Sequence, residues 1–590
     1  MAFNQTASNL FAQIAQMLEL TGSDRFRVNA ASKASRELKA QTTDLEPLAK
    51  AEDVKALTAL EGIGKGTATK LIELAQTGCI SEHQELSNQV PQGLMEVLSI
   101  PGLGPKTVKL MWDDLKVESI NDLKNEIAKG SVAELPRMGA KTIENIIAAI
   151  EFMESSGDRL HLGLAIPVAR SIVEHMLEVK GTKNAQYAGS LRRGEETIGD
   201  IDILIVTDDP DHAREAFTTM PGVTRVLANG DTKSSVRYEL STASERFKDL
   251  STPAEIQIDL RIVPAESWGA ALAYFTGSKD HNVALRKLAI KQGMTLNEYG
   301  LFRNNDDRND PIACETEEGI YLALGIASVP PTLRQDRGEI QTEELPHLIE
   351  LSDIKADLHT HTTDSDGKLS LKESATIAKS RGFHTLAITD HSQSSAIANG
   401  LKPDRLRKQI KYIHDFNDSF EGLTILAGSE VDILVDGSLD YDDDLLNALD
   451  IVVASPHAGL RAKPKQATKR LLKAIEHPSV HIIGHPTGRL IQRRAGLEPD
   501  LNELIAGAIE HDVALEINAH WMRLDLRDTH VRAAVEAGCK IAINCDVHHA
   551  SDYDNLIFGV FTGQRGWLTP DLCVNAWDHD KLHAWLQSKR

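Results

Sequence analysis

Cysteine is scarce in this chain of 590 residues. The five, Cys79, Cys314, Cys539, Cys545 and Cys573, are scattered, odd in number and never spaced C-x-x-C, which argues against a disulfide framework. No apolar stretch approaches the ~20 residues needed to span a bilayer, and the start M-A-F-N-Q-T-A-S-N-L lacks the basic and apolar regions of a signal peptide. A cytoplasmic location and no membrane partner are expected. Positive charge is also in deficit: a net charge of −22 and a pI near 5.5 argue against a protein that coats nucleic acid by bulk electrostatics. Local basic grooves remain open, as does any partner gripped at a few points. No low-complexity tract is present. What remains, 41% hydrophobic and 25% charged residues, is ordinary for a globular chain long enough for several domains.

Against that background, nine metal-binding side chains recur down the last 240 or so residues: His359, His361, Asp366, His391, Glu430, His457, His485, Asp546 and His548. In A-D-L-H-T-H-T-T-D-S-D-G, His359 and His361 stand two apart and so share a strand face. The rest follow in T-D-H-S, G-S-E-V, S-P-H-A, G-H-P-T and I-N-C-D-V-H. Each lies beside a predicted strand end or turn, where distant segments can converge on one cleft. Any single histidine is better read as a core or surface residue; the series is not. Nitrogen and oxygen ligands without thiolate suit manganese, zinc or iron in a hydrolytic site. Strand alternation turns Cys545 away from its neighbour Asp546. Nine ligands exceed what one ion uses, so two or three ions bridged by Glu430 or Asp546 are expected, an arrangement that activates water and clamps phosphoester oxygens. Two basic runs lie beside ligands: Arg461 to Lys473 after His457, and Arg489, Arg493 and Arg494 after His485. Either is a solvated face or a track for a polyanionic substrate.

The segment from about 353 to 590 resembles the PHP (polymerase and histidinol phosphatase) phosphoesterase family, whose metal-ligand pattern all nine residues match. The resemblance implies a distorted (β/α)7 barrel with a trinuclear site, holding Mn2+ or Zn2+. Short β-rich runs such as H-T-L-A-I-T, D-I-V-V-A-S and V-A-L-E-I-N alternate with helical stretches in the manner of a βα repeat.

A second informative stretch is Y-A-G-S-L-R-R-G-E-E-T-I-G-D-I-D-I-L-I-V, from Tyr187 to Val206. Asp200 and Asp202 share one strand face while Ile201, Ile203 and Ile205 fill the other, and Asp259 comes from the alternating strand I-Q-I-D-L-R-I-V. Three neighbouring carboxylates repel unless cations lie between them. Two Mg2+ ions are the expected remedy, in an arrangement that drives phosphoryl or nucleotidyl transfer. Gly189 and Ser190 bring backbone and hydroxyl donors to phosphate oxygens, with Arg193 as a guanidinium clamp.

This stretch resembles the nucleotidyltransferase signature of the family X DNA polymerases. The resemblance implies that Asp200 and Asp202 bind both metals, that Asp259 binds the catalytic one and helps deprotonate the primer 3′-hydroxyl, and that Ser190 and Arg193 hold the triphosphate. Downstream, A-Y-F-T-G-S-K-D-H-N-V-A-L-R resembles the family's nucleotide-pocket strand and helix, with Tyr274 and Phe275 against the sugar, Gly277 under the base, and Asn282 and Arg286 toward the minor groove. Lys279 stands where the better-known eukaryotic members carry an acid.

Upstream lie three glycine-centred helix-hairpin-helix signatures, with Gly62 and Gly64 followed by Lys65, Gly102 and Gly104 followed by Lys106, and Gly139 followed by Lys141. Such turns point the next helix's N–H groups at a phosphate and read no bases. They reconcile an acidic chain with DNA, because dipoles and a few lysines replace a broad basic surface. Lys70 falls where the family's eukaryotic repair member keeps a Schiff-base lysine, and Lys33 falls at a phosphate-binding position. A lyase activity is a secondary hypothesis, since the nucleophile needs a depressed pKa.

The expected organisation is multidomain, α+β and α/β. A helical DNA-binding domain spans 1–90, a fingers-like helical domain 91–155, a nucleotidyltransferase palm with an antiparallel sheet 156–263, a thumb 264–328, a linker marked by Pro330 and Pro331 329–352, and the PHP barrel 353–590. The expected activity is DNA-directed polymerisation on gapped or nicked DNA with dNTPs, in base excision or end repair. To it is joined a PHP nuclease working 3′ to 5′, with abasic-site cleavage or 3′-phosphate removal as further options. A monomer is expected. The competing readings are a small-molecule phosphatase tethered to DNA and a non-catalytic scaffold.

Overall fold

The computed structural model describes residues 2–40, 45–60, 63–100, 103–136, 138–155, 159–240, 255–304 and 311–589. Gly62 and Gly102 lie outside the described residues. The chain divides into two compact units near residue 157.

The first unit is helical. Phe11, Ile14, Leu18, Leu38, Leu71 and Val108 recur at helical spacing and bury one face of each helix in a shared core. Gly64 caps the helix Lys65–Thr77 and Gly104 the helix Pro105–Leu115; Gly139 immediately precedes Ala140–Ser155.

The second unit carries two main sheets. In the five-stranded sheet the order is 182–187, 200–207, 255–262, 233–239, 223–229. Leu204, Ile205 and Val206 are buried in succession, as a strand covered on both faces requires. This sheet is mixed, not antiparallel as the sequence suggested: Asp200–Thr207 runs parallel to Glu255–Ile262. The helix Pro210–Thr219 and the hairpin after it supply the crossover that a parallel pair needs.

The expected nucleotide-pocket strand is also replaced, by the helix Trp268–Thr276 followed by Lys279–Lys291. The alanines of W-G-A-A-L-A-Y-F-T favour the helix. Gly277 ends it, and the Ser278 hydroxyl accepts the His281 amide at 3.1 Å to start the next.

The stretch 329–352, read as a linker, is packed. Val329, Leu333, Ile340, Leu348 and Ile349 are buried, and its polar residues are paired. Glu339 accepts from the backbone amides of Gln335, Asp336 and Arg337 at 3.1, 2.7 and 2.6 Å and faces His281 Nδ1 at 2.6 Å. Buried Arg334 donates to the Val329 carbonyl at 2.9 Å and pairs with Glu317.

The second sheet has seven parallel strands in sequence order, from Ala356–Asp357 to Ile541–Asn544. Its two ends meet at one bridge, Thr360 to Val547, so the sheet is a nearly closed barrel. Helices between the strands bury Leu406, Leu471, Leu504 and Val531 against it.

Candidate functional site

All nine expected ligands converge at one end of the barrel, each at or just beyond a strand's C-terminal end or in the loop that follows, the position where barrel enzymes build their sites. They fall into overlapping groups: His361, Asp366, His391 and His548; His359, Glu430 and His485; His359, His361 and Asp546; His391, Glu430 and His457. Glu430 is shared by two of the groups, as a bridging carboxylate must be, while Asp546 stands in one. Glu430 Oε1 lies 3.1 Å from His457 Nε2, 3.4 Å from His359 Nε2 and 3.5 Å from His485 Nε2. Asp546 Oδ1 lies 3.1 Å from His361 Nε2, and Asp366 Oδ1 lies 3.3 Å from His548 Nε2.

Those atoms are close without being satisfied. His359 Nε2, both nitrogens of His361, both oxygens of Glu430 and Asp546 Oδ1 are buried with no hydrogen-bond partner among the described residues. His391 Nδ1 and Glu430 Oε2 are 2.8 Å apart yet not aligned as a hydrogen bond. Buried polar atoms orphaned in this way are costly unless a ligand fills them, and lone pairs aimed at a common centre instead of at each other fit divalent cations. His485 and Asp546 sit in the left-handed region, φ 26° and 51°, a strain tolerated where it aims a functional group.

A layer of partners that sequence reading missed fixes these ligands. The fully buried Glu516 accepts His359 Nδ1–H at 2.8 Å and the His485 amide at 2.6 Å. Asn518 donates to Asp546 Oδ2 at 2.9 Å, and Asp432 takes His457 Nδ1–H at 2.5 Å. Holding Nδ1 in this way turns the His359 Nε2 lone pair toward the centre. Cys545 is buried on the other side, its thiol directed to the Tyr553 carbonyl.

The basic runs divide. Arg461, Lys463, Lys465 and Lys469 are exposed. Arg470 instead donates inward to the carbonyls of Ile433, Leu434 and Ala458, buried Arg489 pairs with Glu196, and Arg494 donates to the Gly488 carbonyl. These three are structural, not a substrate track.

In the five-stranded sheet Asp202 lies directly across from Asp259, with Asp200 two residues before on the same strand. Burial, then the charges of Asp200 and Asp259, push Asp202 up to about 6. Asp259 turns to Lys233 Nζ at 2.7 Å; burial opposes its charge, but bonds from Lys233, Ser235 and Gln257 outweigh that and hold it low. Among the described residues, the groups of ligand atoms within 4.8 Å of one another are all in the barrel, so these three acids are less drawn together. Mutual repulsion accounts for that, with Lys233 standing in for positive charge. An all-carboxylate set whose middle member resists ionisation suits hard divalent cations.

Gly189, at φ +62°, opens a short helical turn over these acids. A Cβ there would stand 2.5 Å from Asp202 Oδ2, so only glycine fits. Ser190 follows in the same turn, half-buried. Arg193 donates to the Thr276 carbonyl at 2.8 Å, and its Nε is buried without a partner among the described residues. Tyr274 and Phe275 meet edge-on, ring centroids 5.1 Å apart, and Arg261 covers Phe275. Asn282 donates to the Tyr274 carbonyl at 2.7 Å and approaches Gly277. Arg286, exposed, lines one pocket with Tyr274 and Asn282.

In the first unit a Cβ at Gly64, Gly104 or Gly139 would meet nothing within 4 Å. The fold does not itself demand glycine there; the open backbone admits an outside phosphate. Lys65, Lys106 and Lys141 are exposed beside it. Lys33 and Lys70 line one cavity of about 580 Å³, where Glu82 holds the Lys70 ammonium at 2.9 Å.

Comparison with known proteins matches this architecture in order. A helix-hairpin-helix domain model matches residues 3–80 and a SAM-like helix-hairpin-helix tandem 94–151. DNA polymerase beta palm and thumb models match 166–264 and 271–335, and the PHP domain model matches 357–520. The DNA polymerase/3′-5′ exonuclease PolX of Bacillus subtilis (strain 168) is 38% identical over 98% of both chains. A probable phosphatase of Thermoanaerobacter sp. (strain X514) is 29% identical over 40% of this chain and 95% of its own. DNA polymerase lambda of Rattus norvegicus is 24% identical over 56% of this chain and 57% of its own. The chain belongs to the family X DNA polymerases that carry a C-terminal PHP domain.

Proposed function

We propose that this protein is a DNA-directed DNA polymerase that fills short gaps during base excision or end repair, and that its barrel is a metal-dependent nuclease on DNA 3′ ends. The observation that carries the reading is one compact unit with two separate acid centres: Asp200, Asp202 and Asp259 under the Gly189 turn, and nine converging ligands in the barrel, five of them with buried atoms unpartnered among the described residues. Bound divalent ions, two Mg2+ at the first and two or three Mn2+ or Zn2+ at the second, supply charge neutralisation and Lewis acidity.

The chain's own groups do the positioning. Ser190 and the free Nε edge of Arg193 orient the triphosphate, and Asp259 takes the proton of the primer 3′-hydroxyl as its oxygen attacks the α-phosphorus, the α–β anhydride bond breaks and pyrophosphate leaves. Tyr274, Phe275 and Gly277 hold the nucleoside, with Asn282 and Arg286 on the minor-groove side. The three hairpin turns grip the DNA backbone through open amides and Lys65, Lys106 and Lys141. In the barrel, Asp432 and Glu516 keep the histidine lone pairs aimed inward, and the exposed Lys463, Lys465 and Lys469 draw the strand in. We assign the protein to the cytoplasm, as a monomer.

Two assays test this: primer extension on gapped duplex, and manganese-dependent degradation of single-stranded DNA. Asp200→Ala should remove only the first and His359→Ala only the second. A wild-type protein that adds no nucleotide refutes the polymerase reading. A small-molecule phosphatase would instead hydrolyse phosphomonoesters such as histidinol phosphate while leaving 3′ ends intact.

A further inference from the structure

We propose that Arg565, a residue of the barrel, is a positioning residue for polymerisation: by occupying one oxygen of Glu195 it leaves the Arg193 guanidinium free to grip the incoming triphosphate. The inference rests on the polymerase reading above. Glu195 follows the phosphate-binding turn directly and stands between two cations. Its Oε2 meets Arg565 Nη2 at 2.8 Å, while its Oε1 lies 3.5 Å from Arg193 Nη2 and accepts Gln335 Nε2 at 3.1 Å. Arg565 also reaches the Arg193 carbonyl at 3.4 Å. Its side chain is 4% exposed, so nothing in bulk water substitutes for it.

The backbone is pressed into place at the same point. Gly194 has φ +67°, and a Cβ there would lie 2.9 Å from Phe561 Cβ. Phe561 is one turn before Arg565 on the same helix, so the two present one face to the palm turn. Beyond Arg565 the charges continue to alternate: Asp528 Oδ2 is 2.8 Å from both Arg565 Nη2 and Arg337 Nη1. The next residue, Glu196, grips Arg489, four residues after the ligand His485.

Loss of the Arg565 charge leaves Glu195 with a single cation beside it among the described residues, Arg193. In a partly buried setting that pair tightens, and the guanidinium is drawn off the triphosphate. Asp528 keeps Arg337. The loss is therefore felt as nucleotide affinity, and removing the Glu195 charge as well should undo it.

The test uses the full chain on a one-nucleotide gapped duplex. Arg565→Gln should raise KM for the templated dNTP about tenfold, the scale of one hydrogen bond to a charged group, with kcat within about twofold. The dissociation constant of the same dNTP, measured in Ca2+ without turnover, should rise in parallel. Arg565→Lys should recover part of the loss, and Arg565→Gln with Glu195→Gln should return KM close to wild type. Degradation of single-stranded DNA by the barrel should be unchanged in all three variants. An unchanged KM in Arg565→Gln overturns the proposal, as does a double variant worse than the single, or a loss of both activities together with a lower Tm, which marks Arg565 as merely structural. Wild-type protein that extends no primer overturns the polymerase reading and this inference with it.

Discussion

Replacing Glu516 by Gln exchanges a single oxygen for an NH2 in the most deeply supported part of the barrel site. The carboxylate accepts three kinds of donor: His359 Nδ1–H at 2.8 Å, the His485 amide at 2.6 Å and Asn544 Nδ2 at 2.9 Å. Glutamine keeps one acceptor oxygen and puts an NH2 in place of the other. If the amide nitrogen faces His485, two N–H groups oppose each other across 2.6 Å. If it faces His359, the imidazole must move its proton to Nε2 and lose the lone pair aimed at Glu430 and Asp546. Either arrangement removes the support of a metal-binding histidine, which costs about 10–100-fold in metal affinity, or about 1.4–2.7 kcal/mol. The half-saturating Mn2+ concentration for degradation of single-stranded DNA should rise by that factor, while primer extension in Mg2+ is unchanged. A midpoint equal to that of wild type would refute the claim that Glu516 sets the His359 tautomer.

Gly189→Ala combines a left-handed φ, costing about 1–2 kcal/mol for a residue with a Cβ, with a 2.5 Å approach to Asp202 Oδ2. Displacement of that acid should reduce primer extension about a hundredfold with nuclease activity intact. Arg470→Met strands the carbonyls of Ile433, Leu434 and Ala458 and should cost about 3 kcal/mol, read as a lower Tm. Lys469→Ala, on the exposed side of the same helix, should leave Tm alone and lower the slope of log affinity against log salt for single-stranded DNA by about 0.7. Lys70→Ala should leave borohydride trapping on 5′-deoxyribose-phosphate DNA unchanged, because the Lys70 side chain is engaged by Glu82 at 2.9 Å; loss of the adduct would assign Lys70 as the Schiff-base residue.

The sequence made legible what chemistry demands at fixed spacing. His359 and His361 share a face because strands alternate, and Asp200 and Asp202 do so for the same reason; no long-range knowledge is required. Groups whose meaning depends on a distant partner stayed hidden. Glu516 sits in V-A-L-E-I-N, a run that reads as an ordinary strand, and only the approach of His359 from 157 residues away gives its carboxylate a role. One signal was available: a single acid inside an otherwise apolar strand must be paired or liganded. Arg470 and Arg489 read from sequence as part of a solvated face or a substrate track, because a basic run gives no sign that carbonyls and Glu196 wait behind it. The stretch 329–352 was read as a linker because Pro330, Pro331 and the polar residues after them look solvated until His281 and Glu317 are placed beside them. The parallel pairing of Asp200–Thr207 with Glu255–Ile262 likewise depends on strand order, which local pattern does not encode.

The same distinction applies to the acid doublet Glu195–Glu196, which carries no local sign of its role. Read locally, it is a polar turn between Arg193 and the Asp200 strand. In the fold each glutamate meets a different buried arginine of the barrel, Arg565 and Arg489, and a buried guanidinium without its carboxylate is costly. A barrel that departs from the palm strips Arg489 and Glu196 of each other and leaves Arg565 to Asp528 and Glu195 to Arg193, so docking of the nuclease and shaping of the phosphate turn are coupled, and a chain truncated before residue 353 should bind dNTP more weakly than the full protein does.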